Sequence, residues 1–368
     1  MSNNVDLYYI HLFNDFSGSP RVLRDAIDSE VTDSNNTYVF TSKHMGFLDN
    51  INAQRVNCFY ARSNNRYMQL FYFLFSQLTL FVQLFSYLFV GFIRGRTSTV
   101  VINTMLPFGA GLASKIMKVK VIYYVHETYI KPELLKRLLR FFIEHCATRV
   151  IFVSKYLQSV EPFIKPFQGV IYNGLRNDFP VITEIDANLK FEGKQLFLAG
   201  SLKLYKGIEQ LLELGNLLPE FKIKAAMNCE LEELSEFISG RNIPENIKFV
   251  ARPTNIQEYF KRSFVVLNLS LPEECVETFG LSLIEGMAYG CPVVAPPVGG
   301  PVEFVNSENG ILIDSRKTKE IAEFIRYLNS SFEIWNGMSQ QAFKASKHYT
   351  SVEYKKTFKN YFVKNDLV

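Results

Sequence analysis

Glu277 and Glu285 stand eight residues apart in the stretch EECVETFGLSLIEGMAYGCPVVAPPVGGPVE, residues 273–303. Between them, Phe279-Gly280 opens an apolar series at helical spacing: Leu281, Leu283, Ile284, Met287 and Ala288. Gly290 closes the series and Pro292 forbids its continuation. Pro292-Val293-Val294-Ala295 then reads as a buried strand, Gly299-Gly300-Pro301 as a tight turn, and Glu303 follows. A helix starting near Phe279, rising about 1.5 Å per residue, leaves Glu277 just outside its first turn and Glu285 about two turns in. The unbonded amides of a first turn hold anions, and Gly280 has no side chain to block them. A ligand with phosphates in the middle and hydroxyls at both ends suits that layout, as a sugar nucleotide does. Two solvated acids on an amphipathic helix are the other reading the spacing permits.

Other residues with chemical potential stand where strands give way to helices. Leu7–Phe13 reads as a first strand; the loop Asn14-Asp15-Phe16-Ser17-Gly18-Ser19-Pro20 follows, and a helix begins at Arg21. That strand, glycine loop and helix make a phosphate-approach geometry at Gly18, although an ordinary turn has the same composition. Val121–Val125 reads as a strand that delivers His126-Glu127 at its C-terminal end, the end that faces ligands in open α/β sheets. There His126 is expected to accept or donate a proton near neutrality. A later strand, Gln195–Ala199, runs into Gly200-Ser201-Leu202-Lys203-Leu204-Tyr205-Lys206-Gly207, where a lysine can reach a phosphate as a point charge.

The elements that must position these groups alternate strand and helix throughout, which implies parallel sheets with crossover helices. The chain has 368 residues, room for two domains. Residues 1–173 form a first α/β domain, 174–350 a second, and 351–368 a C-terminal helix packing back on the first; residues 174–193, irregular and polar, read as the linker. A net charge of +4 carries no nucleic-acid signal. Five cysteines, odd in number and scattered, argue against a disulfide framework or zinc site and for a reducing compartment. The N-terminus lacks a secretory-signal pattern, so the expected location is cytoplasmic.

One segment breaks the alternation. Tyr67–Ile93 holds no charged residue and carries Phe71, Phe73, Phe75, Phe81, Phe85, Phe89 and Phe92. As a helix it is long enough to cross a bilayer. Yet Gln69, Ser76 and Gln83 recur every seven residues, with Thr79 and Ser86 nearby, one polar stripe on a broad apolar helix. Strands precede and follow it, and a crossing helix would put halves of one sheet on opposite sides of the membrane. An interfacial helix flanked by Arg62, Arg66, Arg94 and Arg96 is therefore expected on the inner face of the cell membrane; the alternative is a buried helix with a large aromatic core.

With these residues in order, the chain resembles the retaining glycosyltransferases of the GT-B fold, family 4 in particular. The resemblance runs through the first glycine loop, His126, Tyr172-Asn173-Gly174, Gly200–Gly207, the Glu277/Glu285 segment, and Gly299-Gly300-Pro301 with Glu303. It implies two Rossmann-like domains facing across a cleft, the first for the acceptor and the second for a nucleotide diphosphate-sugar. By resemblance, Glu285 holds ribose hydroxyls and Glu277 contacts the transferred sugar. Lys206 and the amides of Phe279, Gly280 and Leu281 hold the diphosphate, Gly18 approaches it, and His126 sits by the donor sugar. The family usually has Arg where this chain has Ser201, with Lys203 the candidate replacement, and two adjacent glycines where Ser17-Gly18-Ser19 offers one. No Asp-x-Asp pair occurs, so neither a metal nor another cofactor is expected.

The expected activity is transfer of a sugar, with retention, to a lipid-linked glycan acceptor in surface polysaccharide or glycolipid synthesis. A sugar-nucleotide epimerase of the same fold and a non-catalytic membrane-associated binding module are the competing classes. A nicotinamide enzyme is disfavoured because no G-x-G-x-x-G follows either opening strand.

Overall fold

The structure is a computed structural model that describes residues 5–30 and 36–363. The chain divides into two compact units: one runs to Asn173 and resumes at Tyr354, and the other is Gly174–Glu353.

In the first unit, β1 (Val5–Ile10), α1 (Gly18–Glu30), β2 (Thr37–Thr41), β3 (Gln54–Asn57), α2 (Arg66–Ile93) and β4 (Thr97–Asn103) come first. Then follow α3 (Phe108–Ile116), β5 (Lys120–Val125), α4 (Glu133–Cys146), β6 (Arg149–Phe152), α5 (Lys155–Val160) and β7 (Phe167–Val170). All strands are parallel, in the order β3-β2-β1-β4-β5-β6-β7. The inner strands, buried on both faces, read as near-continuous apolar runs such as Val100-Val101-Ile102 and Val121–Val125, whereas the edge strands β3 and β7 are only partly covered. The strand order reverses between β1 and β4.

The first strand and helix differ in their bounds from the sequence reading, and β1 starts at Val5 rather than Leu7. β1 stops at Ile10 rather than Phe13, and α1 starts at Gly18 rather than Arg21. Pro20 is no obstacle in a first turn, where its missing N–H has no acceptor to lose. The Asp15 carboxylate accepts from the Ser17 N–H at 2.9 Å just ahead of the helix.

α2 carries the chain from β3 back to β4 in the same sheet. It is long and apolar enough to cross a membrane by length and composition, but both its ends must meet one sheet. Its polar stripe faces the protein. Ser76 and Gln77 are buried beside Leu80, Leu84, Leu88 and Gly91. Gln69 Oε1 accepts from the Ser63 N–H at 2.8 Å, Gln77 Oε1 from the Gly109 N–H at 3.0 Å, and Gln83 Nε2 donates to the Asn57 carbonyl at 3.2 Å. The apolar residues Tyr67, Phe71, Leu74, Leu78, Val82 and Phe92 are turned outward while Leu80, Leu84 and Leu88 are buried, so the helix is apolar on both its covered and its exposed sides, unlike an ordinary amphipathic surface helix. Of the four flanking arginines, Arg96 is ion-paired with Asp6 at 3.0 Å and Arg62 stacks on the Phe13 ring at 3.7 Å. Arg66 and Arg94 remain exposed at the helix ends.

The second unit comprises α6 (Ala187–Gly193), β8 (Gln195–Gly200), α7 (Ile208–Leu217), β9 (Lys222–Met227), α8 (Leu231–Ile238), β10 (Ile247–Ala251) and α9 (Gln257–Arg262). β11 (Ser263–Leu267), α10 (Leu281–Ala288), β12 (Val293–Ala295), β13 (Gly310–Leu312), α11 (Thr318–Asn329) and α12 (Phe332–Ser346) complete it. Its parallel order is β10-β9-β8-β11-β12-β13, reversing between β8 and β11. Leu196, Leu198, Ile223, Val265 and Leu267 form its core with Trp335. The Trp335 ring stacks on Phe264 at 5.4 Å, and its indole N–H donates to the Phe264 carbonyl at 2.9 Å.

The segment 174–193, read as irregular, contains α6. Asp186 caps it by accepting from the Leu189 N–H at 3.0 Å. Its inward residue is a lysine. Lys190 is 1% exposed and donates to the carbonyls of Phe260 at 2.7 Å and Ser263 at 3.2 Å, acceptors some seventy residues away that no periodicity reveals.

α13 (Ser351–Val363) begins at the end of the second unit and runs into the first. There Arg149 donates to the Tyr361 carbonyl at 3.1 Å and Phe358 packs by the Tyr124 ring. Residues 364–368 of the expected C-terminal helix lie outside the described residues.

Candidate active site

In open parallel sheets the ligand crevice opens at the carboxyl ends of the strands where the order reverses. Each unit has one such point, and the chemistry-bearing side chains gather at both.

In the second unit the point lies between β8 and β11. The chain leaves β8 through Ser201 and a 3-10 turn, Leu204–Lys206, which brings Lys206 back over the strand ends. Lys206 Nζ lies 3.0 Å from Glu277 Oε2 and 3.4 Å from Ser270 Oγ. Asn268, just beyond β11, donates through Nδ2 to the same Glu277 oxygen at 3.2 Å, and its Oδ1 accepts from the Ser270 N–H at 3.0 Å. Burial pushes the Glu277 carboxyl up, but the Lys206 charge and hydrogen bond, Asn268 and the Phe279 N–H outweigh it, so its pKa lies below the ordinary value. Burial lowers the Lys206 ammonium, yet Glu277 raises it further, and its pKa ends above the ordinary value. The pair is therefore ionised at neutral pH, and Glu277 is a carboxylate there rather than an acid.

α10 begins at Leu281. Its cap, Gly280, has φ +102°, a left-handed conformation that side chains resist. Gly280 and Leu281 thus stand in the amide-rich first turn, as the sequence predicts. The Phe279 N–H is instead turned to Glu277, and the Phe279 ring is buried against Phe304 and Tyr349 at 5.7 and 5.9 Å. Glu285, one turn into α10, is buried. Ser201 is half-buried, and Lys203 is exposed at the start of the 3-10 turn. The Gly299-Gly300 turn is tied to the same loop, because the Gly300 N–H donates to the Glu277 carbonyl at 2.9 Å. Glu303 ends the 3-10 turn that follows.

In the first unit the point lies between β1 and β4, and His126 follows the next strand, β5. Its Nε2 lies 2.7 Å from Asn103 Oδ1. The Asn103 amide nitrogen lies 3.0 Å from His11 Nδ1 and donates to the Ser19 carbonyl at 3.1 Å. Gly18 is exposed at the first turn of α1, one residue before Ser19. The structure thus links His126 to the start of α1 through Asn103. Glu127 bridges the strand ends, accepting from the Met105 N–H at 2.8 Å and the His126 N–H at 3.2 Å.

His126 does not titrate near neutrality, contrary to expectation. Burial, then the neighbouring His11, lower its pKa to about 3, and burial lowers that of His11 to about 4. The ordinary histidine pKa does not hold at this strand end, where the imidazole lies beside the Tyr124 ring, centroids 4.6 Å apart. Asn103, His11, Asn268 and Ser270 were not singled out from the sequence. Their positions at or just after strand ends were the available signal, but strand order, which makes those ends neighbours, was not.

Residues 181–345 match the family model described as "Glycosyl transferases group 1". Among curated proteins, the sucrose-phosphate synthase of Spinacia oleracea is 41% identical over 70 residues, 19% of this chain and 7% of that protein. A probable sucrose-phosphate synthase 4 of Oryza sativa subsp. japonica is 39% identical over 84 residues, 23% of this chain and 8% of that protein. The matches therefore span less than a tenth of the length of these relatives. Among solved structures, Anabaena HepE in complex with UDP and glucose superposes with a TM-score of 0.76 at 17% identity, covering 97% of this chain and 99% of that one. The sucrose-phosphate synthase of Thermosynechococcus elongatus gives a TM-score of 0.73 at 14% identity, covering 98% of both chains. Two parallel sheets of this strand order, and a family match that takes in Lys206, Glu277, Glu285 and the glycine turn, lead to one assignment. The chain has the GT-B fold, and its residues 181–345 are similar to the glycosyl transferases group 1.

Proposed function

We propose that the chain is a glycosyltransferase that moves a sugar from a nucleoside diphosphate-sugar to a lipid-linked glycan acceptor, with retention of anomeric configuration. The observation that carries the reading is the Lys206–Glu277 contact at the strand-order reversal of the second sheet. The complexes of HepE with UDP and with UDP-glucose support a donor of this class. The diphosphate lies against Lys206 and the first-turn amides of α10, and the sugar lies by Glu277. Glu285 takes the ribose hydroxyls. As the bond from the anomeric carbon to the diphosphate breaks, negative charge grows on the leaving oxygen, and Lys206 with the α10 N-terminus stabilises it. A protein cation and a helix end serve without a metal or other cofactor. The acceptor hydroxyl attacks on the face the diphosphate leaves and gives its proton to the departing phosphate oxygen, and Glu277 orients the sugar rather than forming a covalent bond. His126, neutral at working pH, acts by hydrogen bonding.

A thermal-shift screen of nucleotide sugars tests the donor, followed by transfer of radiolabelled sugar to a lipid extract. A stabilising donor and a labelled lipid product are expected. No stabilising nucleotide sugar would sink the reading, and donor conversion without acceptor would replace it with an epimerase.

The membrane part of the proposal rests on α2. Its outward side chains Phe71 (58% exposed), Leu74 (48%) and Leu78 (59%) lie one helical turn apart, with exposed Arg66 and Arg94 at the ends. On α4, Leu134, Leu138 and Phe141 are likewise exposed at helical spacing. We place this face on the cytoplasmic leaflet, where the acceptor would be presented for surface polysaccharide or glycolipid synthesis. The protein is expected to float with anionic liposomes, and F71S/L74S/L78S to lower that partition about a hundredfold to a thousandfold, because full burial of each side chain is worth about 1.5–3 kcal/mol and each is only about half exposed. Wild-type protein remaining in the soluble fraction would end the membrane proposal while leaving the transferase reading intact.

A further inference from the structure

Three polar side chains cross the strand ends at the reversal point of the first sheet: His11 after β1, Asn103 at the end of β4 and His126 after β5. Asn103 is fully buried, so its amide must satisfy itself from fixed neighbours. One neighbour settles its orientation. The Ser19 carbonyl, 3.1 Å away, can only accept, so the group facing it is the Asn103 Nδ2. Oδ1 then faces His126 Nε2 at 2.7 Å, and that nitrogen must carry a proton. The second hydrogen of Nδ2 meets His11 Nδ1 at 3.0 Å, which must therefore be unprotonated. A neutral imidazole carries one N–H, so His126 Nδ1 is a lone pair.

We infer that Asn103 is a positioning residue that locks His126 in the Nε2–H form, so that His126 meets its ligand as a hydrogen-bond acceptor through Nδ1. The inference rests on the transferase reading for what the ligand is, but not for the lock itself. An acceptor nitrogen suits a hydroxyl-bearing ligand and repels a carbonyl or phosphate oxygen.

The charged and titratable groups around the line favour the neutral state. Tyr124 of β5 stacks by His126. The Glu127 carboxylate is occupied by the Met105 and His126 N–H groups, and burial raises its pKa despite them. Asp15, in the loop before α1, acts on His11 but does not offset its burial. An amide between the two rings adds no charge, whereas a carboxylate there would draw a proton onto either ring.

Nitrogen-15 NMR of histidine-labelled full-length protein reads the tautomer directly. The expected wild-type signature for His126 is a protonated Nε2 and an unprotonated Nδ1, constant from pH 8 to pH 5. Asn103→Asp should raise the proton affinity of His126 about tenfold to a thousandfold and add an acidic limb to the pH profile of turnover that the wild type lacks. Asn103→Leu should leave His126 a mixture of tautomers and raise KM more than it lowers kcat. A wild-type His126 protonated on Nδ1 overturns the inference, as does an Asn103→Asp protein with wild-type histidine titration. The wild-type spectrum needs neither a folded variant nor a known acceptor, so failure of the lock and failure of the transferase reading are separable.

Discussion

Lys206→Ala is expected to lower sugar transfer about 10²–10³-fold while the second unit remains folded. The side chain removed is the cation at the reversal point, bonded to Glu277 at 3.0 Å and near Ser270 at 3.4 Å. Both partners of the pair are about a fifth exposed, 21% each, so the cost to stability is moderate, about 1.5–3 kcal/mol. Its pH dependence has a definite sign. The Glu277 pKa is depressed in the folded protein from an ordinary value of 4.5. Its contribution is thus present above 4.5 and is lost as pH falls through the folded value. The Lys206 pKa is raised from 10.5, so its contribution is complete below 10.5 and is lost as pH rises through the folded value. The melting-temperature gap between wild type and Lys206→Ala should therefore be wide and flat from pH 5 to 9 and narrow in acid. Lys206→Arg, which keeps the charge, should recover part of the activity. Full transfer by Lys206→Ala, or a gap that widens in acid, contradicts this account of the site.

The second large effect is expected from a backbone position. Gly299 has φ +93° and ψ −162°, a region that essentially only glycine occupies. A Cβ placed there would lie 2.2 Å from the Glu277 carbonyl oxygen and 2.8 Å from Val276 Cγ1. The chain can relieve that overlap only by separating the glycine turn from the loop that carries Glu277, which breaks the Gly300 N–H bond to the Glu277 carbonyl. Strain and overpacking together cost about 3 kcal/mol, or a melting temperature about 6–12 °C lower for a unit of this size. Gly299→Ala should also lose transfer about as severely as Lys206→Ala, although it removes no polar group, because Glu277 moves. A variant that melts within about 2 °C of wild type would show that the turn is not held as described.

The contrast between these two predictions tracks what could be read before folding. Lys206 and Glu277 are each visible in the sequence by residue type and local pattern, a lysine after a strand and an acid before a helix. Their contact is not visible, since 71 positions separate them and β8 and β11 become neighbours only through the order β10-β9-β8-β11. Runs such as Leu196-Phe197-Leu198 and Phe264–Leu267 carry no mark of which partner each will take, because strands buried on both faces are uniformly apolar. Asn268 escaped notice for the same reason.

α2 shows the division in one element. Its length, its lack of charge and its seven-residue polar repeat were legible from Tyr67 to Ile93, and the helix formed within one residue of that span. The direction of the stripe was not, because periodicity sets the angle between residues and not what stands opposite them. The groups that turned Gln69, Gln77 and Gln83 inward are the Ser63 and Gly109 amides and the Asn57 carbonyl, and only the packed chain brings them there. α6 was lost to the polar look of its sequence, whose one buried side chain is a lysine satisfied by distant carbonyls.

By itself, then, the sequence determined the alternating α/β elements, the two-domain division near residue 174, the long apolar helix and the acids, lysine and histidine of the candidate site. Those depend on local spacing, turn chemistry and residue type, which are properties of neighbouring positions. The tertiary structure alone decided that Lys206 and Glu277 form an ion pair, that α2 leaves an apolar side exposed while its glutamines turn inward, and that His126 stays neutral against Asn103. Each of these depends on burial and on partners far away in the chain, and a proton's affinity or a side chain's direction is set by that surrounding rather than by the residue that carries it.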